Sequence, residues 1–165
     1  MLSRTSRSNR GFSLIEVLIA LFVLAIGLLG MATLMMASLQ SSQGAALRSA
    51  ATVAAYDLAE RMRLNRTQLS AYAGNPATAT DPGCADNSAG CNAADTARLD
   101  LFRWSGNLQA NLPGATAVIQ QVTASNYCLA IFWQEPGLAL TASENTSVCG
   151  VARDGRAFYS QRINP

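Results

Sequence analysis

From Phe12 to Leu39 the chain reads FSLIEVLIALFVLAIGLLGMATLMMASL, an apolar run without proline in which Glu16 is the only charge. Val17 to Leu39 alone supplies 23 uncharged residues, and about 20 suffice to cross a bilayer as a helix. The flank before it, MLSRTSRSNRG, carries Arg4, Arg7 and Arg10 and no acid. Arginines beside a first apolar segment are held on the cytoplasmic side. The expected topology is therefore one span, N-terminus inside, with the rest of the chain across the membrane. A secretory signal peptide would have an apolar core of about 7–15 residues and a small-residue cleavage site after it. Ala32 and Ala37 offer small residues, but the run is too long for that reading.

Glu16 needs its own explanation. A carboxylate in a membrane helix costs about 2.5–3.5 kcal/mol on insertion scales, so by default it marks a partner or a function. The competing reading is that Glu16, early in the run, reaches headgroup water.

The remaining composition closes several routes. The 165 residues include 12 Arg, no Lys, no His and 10 carboxylates, a net charge of +2. That excess is too small for a phosphate-tracking surface. Without His there are no His-based triads, bases or metal ligands. Without Lys a serine nucleophile lacks its other common base, and no nucleotide-binding or G-x-S-x-G fingerprint occurs. A carboxylate pair could be drawn from Glu135, Glu144 and Asp154, as from any three acids in a loop-rich region. Neither an enzyme, a cofactor nor a small-molecule substrate is implied.

Beyond the span, Leu47, Ala51, Ala54, Ala55, Leu58, Met62 and Leu69 recur at three- and four-residue steps, opposite Arg48, Asp57, Glu60, Arg61 and Arg63. This periodicity predicts that the helix continues through residues 40–69 with one apolar stripe. Its total is then about 55 residues, roughly 80 Å. Arg61, Arg63 and Arg66 fall in its last turns, where cations suit the helix dipole. Gly27 and Gly30 are three apart, so GxxxG is absent, although they leave a face for close helix approach.

Residues 70–95 are rich in Ala, Gly, Asn, Asp and Pro and read as a long surface loop. Its oxygens, on Asp81, Asp86, Asn87, Asn92 and Asp95, do not follow calcium-loop spacing. A short helix is expected over Ala97–Leu112, capped by Asp95 or Thr96 and ended by Pro113-Gly114. Strands are expected at Ala115–Thr123 and Tyr127–Gln134. A hairpin of Val148–Arg153 with Arg156–Arg162 is expected about Asp154-Gly155, a strong turn signal. Tyr127, Phe132, Trp133, Phe158 and Tyr159 read as core and cross-strand pairs. Three or four antiparallel strands against the amphipathic helix make an α+β head.

The hexapeptide Gly11-Phe12-Ser13-Leu14-Ile15-Glu16 resembles the type IV prepilin processing site: a basic leader ending in Gly, then Phe, then an apolar helix with Glu fifth in the mature chain. The resemblance implies that a prepilin peptidase cuts after Gly11 and methylates the amine of Phe12. It implies that Glu16 serves assembly, pairing with the Phe12 amine of a neighbouring subunit so that two buried charges are neutralised together. Gly27 to Arg66, and its LAERMRLNR ending above all, is similar to the minor pilins of the PilV type. Together these stretches cover residues 1–66. Thr33 stands at the mature position where major pilins usually carry Pro, which favours a minor pilin or pseudopilin.

This resemblance divides the chain into a leader (1–11), a transmembrane and assembly half of the long helix (12–39), its amphipathic half (40–69) and a periplasmic head (70–165). It implies an α+β pilin fold held in the inner membrane and then in a pilus fibre at the cell surface. Implied partners are the peptidase, other minor and major pilins, and the inner-membrane assembly platform. A type II secretion pseudopilin shares the leader and the Glu. A third reading is an adhesive or DNA-capturing head using Arg98, Arg103, Arg153 and Arg156. Without the leader's three Arg, nine Arg face ten carboxylates, so the mature side-chain charge is −1.

All four cysteines, Cys84, Cys91, Cys128 and Cys149, lie in the exported part. An even count in an oxidising compartment implies disulfides, with three possible connectivities. Cys84–Cys91, closing the loop, and Cys128–Cys149, tying strands, is the favoured one. No C-x-x-C occurs, which argues against a zinc site.

Overall fold

The structure is a computed structural model that describes residues 11–138, 141, 144 and 146–165. Arg4, Arg7 and Arg10, which the expected leader would carry, lie outside the described residues, as do parts of the segment before Cys149. The chain divides into two compact units, Met1–Ser41 and Ser42–Pro165.

In the first unit, α1 (Leu14–Leu64, which continues into the second) begins after three non-helical residues. The Ser13 carbonyl accepts from the amides of Glu16 (3.0 Å) and Val17 (3.4 Å), which closes the first turn. Every residue from Gly11 to Ser41 is exposed. The Thr33 hydroxyl donates back to the Gly30 carbonyl at 2.8 Å, so this side chain is satisfied within the helix.

In the second unit, α1 buries Gly44, Ala51, Ala55, Leu58, Ala59 and Met62, the stripe that three- and four-residue periodicity dictates. The α-helix stops at Leu64, short of the expected residue 69, and a 3₁₀ segment takes over from Arg66 to Tyr72. Asn65 accounts for the break. It leaves helical geometry (φ −116°, ψ 49°), and its side-chain amide donates to the Ala93 carbonyl at 2.7 Å. Asn side chains compete for backbone partners in this way and weaken helices. A second 3₁₀ turn covers Pro76–Thr78.

Helix α2 spans Ala93–Asn111, four residues earlier than expected. Its cap is Asn92, whose side-chain oxygen accepts from the Asp95 amide at 2.8 Å, not Asp95 or Thr96. Asp95 sits instead in the first turn, where its carboxylate meets the Asn92 amide at 2.7 Å and faces the positive end of the dipole. The packed face of α2 is Ala97, Leu101, Trp104 and Leu108.

Three antiparallel strands follow in the order β1 (Thr116–Gln121), β2 (Tyr127–Trp133) and β5 (Ala157–Ile163). Ile119 faces Leu129, and Phe132 faces Phe158. Six of the seven β2 residues are buried, as a central strand requires. Tyr127, Leu129, Ile131 and Trp133 join the helices in one core. Of the aromatic set, Phe158 is at the surface. One isolated bridge, Gly74 with Ile119, lies against β1.

The expected hairpin about Asp154-Gly155 does not form. The turn is present, with both residues at positive φ (50° and 74°) and the Arg156 amide on the Arg153 carbonyl at 3.0 Å. The chains leaving it find other partners. Residues 151–152 (β4) pair backwards with 147–148 (β3) around Cys149-Gly150, a second left-handed pair at φ 48° and 78°. Strand β5 instead makes seven cross-strand pairs with apolar β2. Burial against a central strand outweighs a local turn preference.

Candidate processing and assembly segment

The candidate site is local and is built at the start of α1. Gly11 and Phe12 precede the helix in exposed, non-helical backbone, and Phe12 is 83% exposed. Among the described residues, leaving out its chain neighbours, no heavy atom lies within 4 Å of where a Cβ on Gly11 would sit. Glu16 occupies the first helical turn, exposed, where the helix dipole favours a carboxylate. Sequence reasoning passed over Ser13. Its spacing to Glu16 is the S-x-x-E of a capping box, a pattern that fixes a helix start.

The next two dozen residues present apolar side chains on all sides: Leu14 is 80% exposed, Phe22 66%, Leu29 67% and Leu34 73%. Such a surface is far larger than a soluble monomer tolerates, whereas a helix satisfies its own backbone in lipid. Within α1 this stretch is long and apolar enough to cross a membrane.

In the second unit the cysteines are joined as Cys84–Cys91 and Cys128–Cys149, with Cα separations of 5.0 and 5.7 Å. The first closes the exposed loop 85–90, and the second ties β2 to the β3–β4 turn. Beyond the i,i+4 spacing of Asp57 and Arg61, sequence reasoning missed the polar links that hold this unit together. The Arg61 guanidinium reaches Asp57 at 3.0 Å and Asp100 of α2 at 2.9 Å. The hydroxyl of fully buried Tyr72 donates to the other Asp100 oxygen at 2.7 Å. Burial, and then this hydrogen bond, push the Tyr72 phenol well above its ordinary pKa. The Trp104 indole donates to the Ala54 carbonyl at 2.7 Å. Arg48 pairs with Glu135 at 3.1 Å, and the Glu135 carboxylate lies against Gly44.

The other candidates of the sequence are dispersed. Glu135 is held by Arg48, Glu144 by Thr141, and Asp154 lies 3.6 Å from Arg156. Asp81 accepts from the Gly83 amide, while Asn92 and Asp95 serve the α2 cap. Among the described residues no cluster of acids or cysteines suits a metal. Of the arginines considered for DNA, Arg98 is paired with Asp95. Arg153 donates to the Glu144 and Arg156 carbonyls, and Arg156 to Thr116. Arg103 is exposed on α2.

An apolar, exposed stretch of α1 long enough to cross a membrane, continuing into a small disulfide-bonded α+β unit, is the arrangement expected of a pilin-class subunit. Family comparison agrees. Residues 6–32 match the prokaryotic N-terminal methylation motif, and residues 33–102 match type IV pilin Tt1218. Searches of curated proteins and of solved structures find no significant match. The chain is a type IV pilin-like protein with the α+β fold of that class.

Proposed function

We propose that this chain is a minor pilin, close to the PilV type, that helps prime type IV pilus assembly and is displayed with the fibre. Its work is structural, made of contacts with other subunits and not of chemistry on a substrate. The observation that carries the reading is the order Gly11-Phe12 in exposed, non-helical backbone, Glu16 in the first turn, then an apolar helix exposed all round. In this reading a prepilin peptidase cuts after Gly11 and methylates Phe12 while α1 sits in the inner membrane, leader inside and head in the periplasm. The assembly platform then transfers the subunit to the fibre. There the Glu16 carboxylate meets the Phe12 amine of a neighbour; such a pair in low dielectric sets register more than it adds stability.

Mass spectrometry of the mature N-terminus tests the processing step, and methylated Phe12 is the expected first residue. An intact Met1, or a cut after Ala37, would leave only an anchored or a secreted domain. Glu16→Ala is expected to be cleaved normally but to be depleted from sheared pili. Normal amounts of that variant in assembled fibres would refute the assembly role. Fractionation separates the alternative of a type II secretion pseudopilin, which would follow the secretion machinery. Salt-dependent DNA binding would point to a DNA-capturing head.

A further inference from the structure

The register of the sheet decides which backbone groups of β5 are already bonded. Ile119 of β1 donates its amide to the Gly74 carbonyl at 2.9 Å and accepts from the Gly74 amide at 2.8 Å, so both its groups point away from β2. A residue of an antiparallel strand turns both groups to one neighbour, and the next residue turns them to the other. Thr116, Val118 and Gln120 therefore bond to Phe132, Ala130 and Cys128. The intervening β2 residues, Tyr127, Leu129, Ile131 and Trp133, bond to Ile163, Gln161, Tyr159 and Ala157 of β5. Val122 keeps the same alternation, donating to the Asn126 carbonyl at 2.8 Å. The amides and carbonyls of Phe158, Ser160 and Arg162 are thus directed outwards, on an edge that no further strand of the sheet adjoins.

The two edges of the sheet differ. Gly74 occupies the middle of the β1 edge. On β5, Leu138 lies near Phe158 and Tyr159, so the open part is the half beyond them. Among the described residues nothing bonds to the outward groups of Ser160 and Arg162, and both residues are exposed. Free edges usually carry a Pro, a bulge, a short strand or a charge that discourages pairing. Strand β5 pairs without a break from Ala157 to Ile163 and contains no Pro. Its one charge is Arg162, which also selects what can pair with it.

That charge is unanswered. The row across the sheet at this level reads Gln120, Cys128, Arg162, and Arg162 makes no ion pair with a described acid. We infer that the Ser160–Arg162 edge takes up an extended segment of a partner chain as a further antiparallel strand, with a carboxylate of that segment across from Arg162. A second copy offering the same edge brings no acid, because β5 reads AFYSQRI. Backbone bonds at Ser160 and Arg162 supply the affinity, and the opposite-charge pair supplies the choice of partner. The edge lies in the sheet and owes nothing to the N-terminal segment on which the pilin reading rests.

Amide hydrogen exchange in full-length ¹⁵N-labelled protein, held in neutral detergent micelles, tests this. In the free protein Ser160 and Arg162 should exchange fast, and Tyr159 and Gln161 slowly. The probe is the acetylated, amidated peptide TEVTVVT, whose Glu falls across from Arg162 when its central Thr faces Ser160; TKVTVVT reverses the charge. Methylating the backbone nitrogens of the Glu and the central Thr removes donors that face β5, whereas methylating those of the two Val beside that Thr leaves them intact. TEVTVVT and its Val-methylated form should slow the Ser160 and Arg162 amides saturably, and the other two peptides should not. Arg162→Glu should weaken TEVTVVT about fivefold or more and favour TKVTVVT. Ser160→Pro removes an outward amide without touching a bond to β2, a place where an edge strand tolerates Pro, and should abolish protection of Arg162. If that variant disturbs the β2 signals, the methylated peptides decide the same point. Slow exchange of Ser160 and Arg162 in the free protein, no response to TEVTVVT, equal response to TKVTVVT, or binding of the Glu- and Thr-methylated peptide overturns the inference. Protection that grows with protein concentration alone assigns the edge to a second copy and overturns it too.

Discussion

Replacing Asp100 by Ala removes the acceptor that Arg61 and Tyr72 share, and its cost follows from the geometry. The Asp100 side chain is 18% exposed and that of Arg61 30%, while Tyr72 is fully buried. Two losses add. Without its 2.7 Å acceptor the Tyr72 hydroxyl keeps two long contacts, donating to the Arg61 carbonyl at 3.5 Å and accepting from the Asn65 amide at 3.4 Å, and a poorly satisfied buried hydroxyl costs about 1–3 kcal/mol. The Arg61 pair is partly solvated and Arg61 retains Asp57, so its share is about 1 kcal/mol or less. Asp100→Ala should therefore destabilise by about 1–4 kcal/mol. Asp100→Asn should cost less, because one amide oxygen can still accept. Urea unfolding of the full chain in neutral detergent, followed by Trp104 and Trp133 fluorescence, measures this. With a slope of about 2 kcal/mol per molar, the midpoint should fall by about 0.5–2 M. Tyr72→Phe should cost about 1 kcal/mol alone and little more on top of Asp100→Ala, because each change breaks the same bond. Strict additivity of the two variants, or a midpoint within about 0.3 M of the parent for Asp100→Ala, would refute this account of how α1 is fastened to α2.

Other expectations follow from the same contacts. Because the folded-state pKa of Tyr72 is raised above the unfolded value of about 10, its contribution is complete below that pH. It is lost as pH rises towards the folded value; urea midpoints from pH 8 to 11 should fall, and less steeply for Tyr72→Phe. Removing Cys128–Cys149, which spans 21 residues, should cost about 3.4 kcal/mol in the chain-entropy account, against about 2.5 kcal/mol for Cys84–Cys91, which spans 7. Paired Cys→Ala variants in the same assay should preserve that order. At Gly44 an added Cβ would lie 2.6 Å from the Glu135 carboxylate. Gly44→Ala should therefore not deliver the usual helix gain of about 1 kcal/mol, but should recover it in a Glu135→Ala background.

What could be read from the sequence, and what could not, divides by distance along the chain. The candidate site is legible because everything in it is local: basic flank, Gly11-Phe12, Glu16 and the apolar run occupy one continuous stretch. Its solvent is lipid, so no distant residue need be found to explain it. The buried stripe of α1 and the continuous apolar run of β2 are legible for a similar reason, since period and burial are written within each element. The errors arose where a local signal met a remote competitor. Asp154-Gly155 makes its turn, yet β5 leaves it for β2, whose apolar side chains bury more than a short hairpin could. Apolar periodicity only becomes visible after Ala97, so the pattern points to Asp95 or Thr96 as the cap, although Asn92 also carries a capping oxygen. The long-range polar contacts left no trace in pattern: Arg61 with Asp100, Tyr72 with Asp100, Trp104 with Ala54 and Arg48 with Glu135 join residues 39, 28, 50 and 87 positions apart. Arg61 in particular reads as a solvated cation at a helix end, because nothing near it in sequence announces the acid on α2. The two halves of α1 should therefore respond differently to substitution. Up to Leu39 any apolar residue preserves the physics except at Glu16, whereas beyond Gly44 a single polar partner far away in sequence decides whether a change is tolerated.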